Sequence, residues 1–271
     1  MDLRSVASRA VKVTAAASDS LRPRLPGVTI LAYHRVGQRS DLSVDLPLDL
    51  FTRQMREIAE SGGVVSLDRA LRLLAQPDER ENYVVVTFDD GTADFVDIAL
   101  PVLERFQVPA TLYVATNFIE QQISFPHEGK PLSWAALSDA LATDLVTVGS
   151  HTHTHALLDR LDPMEVQREL DCSAELISER LGRPAIHFAY PKAVPGSTSA
   201  VEAIGERFES AALAGTRKNS FGRTDPHRLA RSPIQVSDGM RWFRRKVNGG
   251  MRLEDDLRRL ANRRRYAGAV T

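Results

Sequence analysis

The chain has 271 residues, and its 35 Lys and Arg balance 35 Asp and Glu, so the formal net charge is zero when histidine is neutral. Hydrophobic residues make up 43% of the sequence, which excludes intrinsically disordered and collagen-like proteins. A single cysteine, Cys172, excludes an internal disulfide and a zinc–thiolate cluster. We therefore expect a globular chain that is stabilised by its hydrophobic core.

The segment 1–26 is predicted to be an appendage that precedes the folded domain. Charged residues interrupt the place where a secretory signal peptide needs a continuous apolar stretch. The rest of the sequence has no run approaching the roughly 18–20 apolar residues that span a bilayer. A cytoplasmic location is the default expectation, and peripheral attachment to a membrane is left open because it needs no such segment.

Short apolar runs rich in β-branched residues recur along the chain and predict β-strands. None of them alternates strictly between polar and apolar residues, so we expect both faces of each strand to be covered, as in a parallel sheet. The runs are residues 28–33, 83–88, 110–115, 145–148, 185–189 and 210–214.

Helical patterns lie between the predicted strands, at 50–59, 93–106 and 162–182. The last pattern is the clearest, because Asp162 and Glu165 fit a capping box at its start and Gly182 fits its end. The alternation of strands and helices predicts an α/β fold, either a barrel or a doubly wound sheet.

Two adjacent carboxylates, Asp89 and Asp90, follow the strand predicted at 83–88, and Gly91 comes next and permits a sharp turn. The carboxyl ends of strands are where the active sites of parallel α/β proteins form. Side-by-side carboxylates repel each other, and a bound cation would relieve that repulsion. A polar loop with a helix N-cap explains the same residues equally well.

Three histidines, His151, His153 and His155, follow the strand predicted at 145–148. All three point to one side if the segment is extended, but only His151 and His155 do so if it forms a helical turn. Two imidazoles at that spacing, with one carboxylate, make a zinc-type site with an open position for water. A surface cluster of histidines is the less favoured alternative, because a second polar strand end accompanies this one.

These residues resemble the first two motifs of the polysaccharide deacetylases, also known as the NodB-homology domain or carbohydrate esterase family 4. The two motifs are Thr87-Phe88-Asp89-Asp90-Gly91 and Ser150-His151-Thr152-His153-Thr154-His155. Three further segments are similar to the first-strand, third and final-strand motifs of the subgroup with a Tyr-Pro third motif. These segments are residues 31–36, 187–191 and 229–234, in the order of the family.

The resemblance implies a distorted (β/α)7 barrel of parallel strands, similar to a TIM barrel, over residues 27–240. It also implies one divalent metal ion, Zn²⁺ in first place with Co²⁺ or Ni²⁺ as alternatives. By position, Asp90, His151 and His155 would bind the metal ion. Asp89 would be the general base that takes a proton from a water held by the metal.

The third motif, with Tyr190 and Pro191, is expected to contact the substrate, and a backbone N–H near Tyr190 would stabilise the oxyanion.

Many family members have an arginine in this motif that orients the catalytic carboxylate, but Ala189 occupies the position before Tyr190. Arg231 on the last predicted strand is our candidate replacement, with a surface salt bridge as the alternative. Lys192 follows and has two interpretations, a contact with an anionic substrate group or a solvated side chain.

The histidine of the last family motif, which protonates the departing amine, has no match in this sequence. His34 after the first strand is the candidate that we carry forward, and His227 before the last strand is a further possibility. His153, between the two predicted ligands, is expected to point away to a structural hydrogen bond.

The predicted function is that of a polysaccharide deacetylase, a hydrolase that removes N-acetyl groups from amino sugars of a polysaccharide or glycoconjugate. One alternative is a deacylase of a non-sugar amide or an O-acetyl ester. The other is a carbohydrate-binding barrel without catalytic activity, which the unmatched arginine and histidine suggest.

An acetylated saccharide is the expected partner, and the aromatic content of 6% favours a short or lipid-linked one. No nucleic-acid-binding module is recognisable. Residues 241–271 are rich in Lys and Arg and are predicted to be a helical extension, either solvated or in peripheral contact with an anionic membrane. The sequence does not determine the oligomeric state.

Overall fold

The computed structural model describes residues 3–19 and 25–257, with side chains from residue 11 onward. Seven parallel strands form a closed barrel in the order β1, β4, β5, β6, β7, β8, β9, and β2 and β3 form a small separate sheet. The strands are β1 (Gly27–Tyr33), β2 (Arg35–Val36), β3 (Asp45–Leu46), β4 (Asn82–Phe88), β5 (Ala110–Val114), β6 (Val146–Ser150), β7 (His187–Ala189), β8 (Ser210–Ala214) and β9 (Leu229–Pro233). The predicted α/β barrel is confirmed, and the doubly wound sheet is excluded.

Helices surround the barrel strands. They are α1 (Leu3–Asp19), α2 (Leu48–Glu60), α3 (Leu67–Leu74), α4 (Leu100–Phe106), α5 (Thr116–Gln121), α6 (Trp134–Leu141), α7 (Pro163–Leu181), α8 (Thr198–Arg207) and α9 (Gly239–Val247). The capping box of Asp162 and Glu165 starts α7 as predicted. The helix predicted at 93–106 is divided, because Phe95–Ala99 form a π-helical turn before α4. No helix in the described part of the chain is long and apolar enough to cross a membrane.

Each barrel strand buries both faces, as the continuous apolar runs predict. One face packs against the surrounding helices in the main hydrophobic cluster. The other faces inward in a second cluster, to which Ile30, Val85 and Tyr113 belong. Leu67 and Leu74 of α3 pack against this second cluster, so α3 closes the amino end of the barrel. The carboxyl end is left for the polar loops.

Asn219 closes the seam between the first and last strands, where β9 pairs with β1 only over Arg231–Pro233. Its backbone exchanges two hydrogen bonds of 2.8 and 2.9 Å with Val28 of β1. Its side chain accepts from the Ala230 N–H and donates to the Ala230 carbonyl oxygen, both at 2.9 Å. The buried amide of Asn219 therefore takes the place of a strand residue between β1 and β9.

The described ends of the chain pack against one another beside this seam. Lys12 of α1 and Lys246 of α9 both bind the buried carboxylate of Asp238. Ala15 and Ala16 of α1 join Trp242 and Met251 in a small apolar cluster. Of the predicted basic extension, residues 258–271 lie outside the described residues. The division at 26/27 and 240/241 stays a prediction.

Candidate metal centre and active site

The proposed site residues lie at the carboxyl end of the barrel because its strands are parallel. His34 follows β1, Asp89 and Asp90 follow β4, and the histidine loop, residues 151–155, follows β6. Arg231 lies within β9, beside β1 in the closed sheet. Residues that are far apart in the sequence therefore meet at one end.

Asp90, His151 and His155 face one another closely. Each offers a ligand atom, and these atoms lie within 4.8 Å of one another. The Nε2 atoms of His155 and His151 are 3.4 and 3.7 Å from Asp90 Oδ1. Tetrahedral zinc with bonds of about 2.0–2.1 Å holds its ligand atoms about 3.3 Å apart. The spacing and the nitrogen and oxygen donors both fit a divalent metal ion.

His151 has the protonation state and orientation of a metal ligand. Its Nδ1 forms a hydrogen bond of 2.7 Å with the carbonyl oxygen of Ala189, and this leaves Nε2 facing Asp90. A hydrogen bond of this kind on the second ring nitrogen fixes the tautomer of a ligating histidine. Burial lowers the pKa of His151 to about 4, so the imidazole is neutral at pH 7.

A strained turn presents Asp90 to the two histidines. The φ angle of Asp90 is 77° and that of Gly91 is 99°, in the region that favours glycine. A Cβ atom on Gly91 would lie 3.2 Å from side-chain atoms of Val114 and Ile119. Burial alone would raise the pKa of Asp90, but the contact with His155 and the nearby imidazoles lower it below its usual range. The carboxylate is therefore ionised and available as a ligand.

Asp89 lies beside this cluster and binds Arg231. The guanidinium donates from Nη1 to Oδ1 at 2.5 Å and from Nη2 to Oδ2 at 2.9 Å. Arg231 is only 2% exposed and lies over the ring of Tyr113, with 5.1 Å from Cζ to the ring centroid. The surface salt bridge considered for Arg231 is thus excluded, since the pair is buried. Burial opposes ionisation of Asp89, but the charge of Arg231 lowers its pKa overall.

The other histidines occupy different places. His34 Nε2 is 3.9 Å from Asp89 Oδ2, and its side chain is 27% exposed, so it lies at the edge of the site. His153 turns away and its Nδ1 forms a hydrogen bond of 2.9 Å with Thr116 Oγ1, as expected from its position between the two predicted ligands. His227 Nε2 forms a hydrogen bond of 2.7 Å with the carbonyl oxygen of Phe208, so His227 is held away from Asp89.

Comparison with known protein families supports the resemblance that the two motifs indicate. A family model described as polysaccharide deacetylase matches residues 76–205, a span that contains both motifs. Residues 76–205 are thus similar to the polysaccharide deacetylase family. The prediction made from the two motifs is confirmed at this level, and with it the assignment to a family of hydrolases.

Individual members and structures agree with this assignment. A protein of Bacillus subtilis (strain 168), YxkH, whose name places it provisionally among polysaccharide deacetylases, is 26% identical over 208 residues, 75% of this chain and 71% of YxkH. The structure of Streptococcus pyogenes deacetylase PplD superposes with a TM-score of 0.72 at 19% identity, over 82% of this chain and 98% of PplD. The structure of IcaB from Ammonifex degensii superposes with a TM-score of 0.70 at 22% identity, over 80% of this chain and 97% of IcaB. At these identities the two structures show a shared fold.

The third motif departs from our expectation at Tyr190. Its ring is buried against Phe188, with ring centroids 5.1 Å apart, and its backbone N–H donates to the Ala212 carbonyl oxygen at 3.1 Å. Neither group is available to a substrate, so the expected contact by Tyr190 is not supported. Pro191 has no N–H, and the next amide is that of Lys192, an exposed residue with φ of 53°.

Sequence reasoning missed the residues that hold the histidine loop in place. Glu169 of α7 accepts hydrogen bonds from the backbone of His153 and Thr154. Thr116 contacts His153 from the opposite side. These residues lie outside the family motifs that the sequence displays, and no local pattern marks them.

Proposed function

We propose that the protein is a metal-dependent hydrolase that removes N-acetyl groups from amino sugars of a polysaccharide or glycoconjugate. The observation that carries this proposal is the Asp89–Arg231 pair directly beside the cluster of Asp90, His151 and His155. Similarity to the family supports the class of reaction. The nitrogen and oxygen donors support Zn²⁺, with Co²⁺ or Ni²⁺ as alternatives.

Asp90, His151 and His155 are the residues that would hold the metal ion. A divalent ion bound there supplies Lewis acidity toward the acyl oxygen and toward water. The protein keeps two of the three donors in the states that such binding needs, because Asp90 is ionised and His151 is neutral. The low pKa of His151 is a consequence of its burial between β6 and β7.

Asp89 is the proposed general base. It accepts a proton from water while the water oxygen forms a bond to the acyl carbon. Arg231 holds both carboxylate oxygens and so fixes the plane of the Asp89 carboxylate. The same positive charge lowers the pKa of Asp89 and keeps it deprotonated at pH 7. Arg231 is thus a positioning residue for the base.

His34 is the proposed general acid. Its Nε2 lies 3.9 Å from Asp89 Oδ2, and its side chain is partly exposed at the edge of the site. A proton passes from His34 to the amide nitrogen as the C–N bond breaks, which releases acetate and leaves a free amine. The backbone N–H of Lys192, in the short helical turn after β7, is the proposed protein donor to the oxyanion.

Two observations favour a deacetylating enzyme over a barrel that only binds carbohydrate. One similar structure is that of a deacetylase in complex with acetate, which is the product of the proposed reaction. The buried Asp89–Arg231 pair also argues against a barrel that only binds carbohydrate, since a buried ion pair adds little to stability compared with apolar residues.

Acetate release from zinc-loaded protein tests the proposal. The substrates are an N-acetylglucosamine oligosaccharide, an O-acetylated sugar and a non-sugar acetamide, each with wild-type protein and Asp89→Asn. We expect the wild type to release acetate from the oligosaccharide, and Asp89→Asn to be slower by about 10²–10⁴-fold. Equal release by both proteins would contradict the proposal, and a preference for the ester or the acetamide would favour the alternative deacylase.

Peripheral membrane contact through the basic C-terminal extension stays a prediction. Within α9, Arg244 binds Glu57 and Arg245 donates to the carbonyl oxygen of Ala16. Lys246 binds Asp238. These three side chains are engaged within the protein, so a membrane contact would depend on the remaining basic residues of the extension.

A further inference from the structure

The histidine loop, residues 151–155, adopts a backbone conformation that its own sequence does not favour. Thr152 has a φ of 65° and His155 a φ of 64°, and neither is a glycine. Left-handed conformations are sparsely populated by such residues, above all by the β-branched threonine. They persist when surrounding contacts impose them. Contacts from outside the loop must therefore hold it in shape.

Glu169 of α7 supplies contacts of this kind. Its Oε2 accepts hydrogen bonds from the backbone N–H groups of His153 at 2.9 Å and Thr154 at 2.8 Å. Its Oε1 accepts from the Thr154 hydroxyl at 2.7 Å. One carboxylate thus binds the two residues that lead directly into His155.

The same face of α7 also holds the end of β6. Ser173 lies one helical turn after Glu169, and its hydroxyl is 2.7 Å from that of Ser150, the last residue of β6. The Ser150 hydroxyl in turn accepts from the Thr152 N–H at 3.2 Å. Residues four apart on a helix share a face. The helix therefore holds the loop at two points, before His151 and after it.

The start of α5 holds the loop from the other side. The Asn117 N–H donates to the His153 carbonyl oxygen at 2.8 Å, and Thr116 Oγ1 binds His153 Nδ1 at 2.9 Å. His153 is thereby fixed between α5 and Glu169. His153, between the two proposed ligands, therefore fixes the position of the loop. Glu169 is the only charged side chain among these contacts.

We propose that Glu169 is a positioning residue for the metal centre, and that its carboxylate sets the backbone that brings His151 and His155 to Asp90. The proposal rests on the proposed function in one respect, namely that these three residues bind a divalent metal ion. Glu169 touches none of the three side chains. Its effect is transmitted by the backbone amides that it binds, as for other partners of ligating residues.

Metal affinity tests this proposal without recourse to activity. Zn²⁺ affinity is measured by competition with a chelator, and the visible absorption spectrum of the Co²⁺-substituted protein reports the ligand geometry. The proteins are the wild type, Glu169→Ala, Glu169→Gln, His151→Ala and Glu175→Ala, where Glu175 is an exposed residue of the same helix. Far-UV circular dichroism of each metal-free protein checks folding.

We expect Glu169→Ala to bind Zn²⁺ about 10- to 100-fold more weakly than the wild type and to change the Co²⁺ spectrum. Glu169→Gln should have a smaller effect of the same sign, because its amide oxygen can still accept from both backbone N–H groups but without the negative charge that strengthens these hydrogen bonds. Glu175→Ala should match the wild type in both measurements.

Wild-type affinity within twofold and an unchanged Co²⁺ spectrum in Glu169→Ala would overturn the role of Glu169. If Glu169→Ala does not fold, the isosteric Glu169→Gln decides, and an affinity equal to that of the wild type overturns the proposal. Failure of the proposed metal site gives a different result, in which wild type and His151→Ala bind Zn²⁺ equally weakly.

Discussion

The two ends of the barrel each hold a buried histidine, one directly after β6 and one at the start of the neighbouring β7, but the protein uses their nitrogens differently. At the amino end, His187 binds Ser210 Oγ through Nδ1 at 2.9 Å and Asp68 Oδ1 through Nε2 at 3.2 Å. At the carboxyl end, His151 binds the Ala189 carbonyl oxygen through Nδ1 alone, and its Nε2 faces Asp90 at 3.7 Å.

The amino end has the residue types of a hydrolytic triad without the access that such a triad needs. Ser210, His187 and Asp68 follow the serine, histidine, carboxylate order. Ser210 is 0% exposed, and α3 closes this end of the barrel. No substrate reaches the hydroxyl, so these hydrogen bonds stabilise the fold. Residue types alone therefore do not identify a functional site. A ligand also needs a side-chain atom that it can reach, as Nε2 of His151 provides at the carboxyl end.

The largest expected effect comes from replacing one histidine at each end. We expect His151→Ala to lose Zn²⁺ binding and acetate release, because it removes one of three donors. His187→Ala should keep Zn²⁺ affinity but lower the free energy of unfolding by about 2–4 kcal/mol, since it leaves Ser210 and Asp68 without their partner. Chelator competition and urea unfolding measure the two effects. Weakened Zn²⁺ binding in folded His187→Ala would contradict the purely structural role that the comparison assigns to His187.

Replacing Arg231 tests the buried charge pair at the carboxyl end. Arg231→Met leaves the Asp89 carboxylate buried and unpaired, and we expect the free energy of unfolding to fall by about 3–5 kcal/mol. Acetate release should also fall, because the carboxylate loses its orientation. Urea unfolding of the metal-free protein gives the stability. The double variant Arg231→Met with Asp89→Leu is the control, and it should recover much of the stability and none of the activity.

Asn219→Ala should be a purely structural change at the amino end. It removes both side-chain hydrogen bonds to Ala230 and leaves the buried N–H and C=O groups of Ala230 without a partner, at a cost of about 2–3 kcal/mol. Acetate release at a temperature where the variant is folded should equal that of the wild type. Gln121→Ala, at an exposed position, is the control and should change stability by less than about 0.5 kcal/mol.

The smallest effect concerns the acid dependence of stability at the amino end. The hydrogen bond with His187 lowers the pKa of Asp68 in the folded protein. A carboxyl group whose folded pKa is lowered stabilises the protein above its unfolded pKa, and this contribution is lost as the pH falls through the folded value. Asp68→Asn should therefore narrow the difference between melting temperatures at pH 7 and about pH 3.5. The exposed Asp78→Asn should leave that difference unchanged, and an equal effect of both variants would contradict the role of His187.

The sequence by itself determined the local elements and the chemical motifs of this protein. The apolar runs gave strands that are covered on both faces, and the Asp162 capping box gave the start of α7. Asp89, Asp90 and the histidines were recognisable because a motif of adjacent residues survives without knowledge of the fold. Such features depend on neighbours within a few residues, where hydrogen bonds and side-chain periodicity act directly.

Only the tertiary structure decided which distant residues complete the site. Arg231 reaches Asp89 across 142 positions because the seven-stranded barrel closes β9 onto β1, beside β4. The same closure binds the Tyr190 amide to Ala212 on β8 and so removes it from the site. Glu169 reaches the histidine loop because α7 returns along β6. These contacts are set by strand register and helix packing, which depend on the burial of the whole core and which no local pattern encodes.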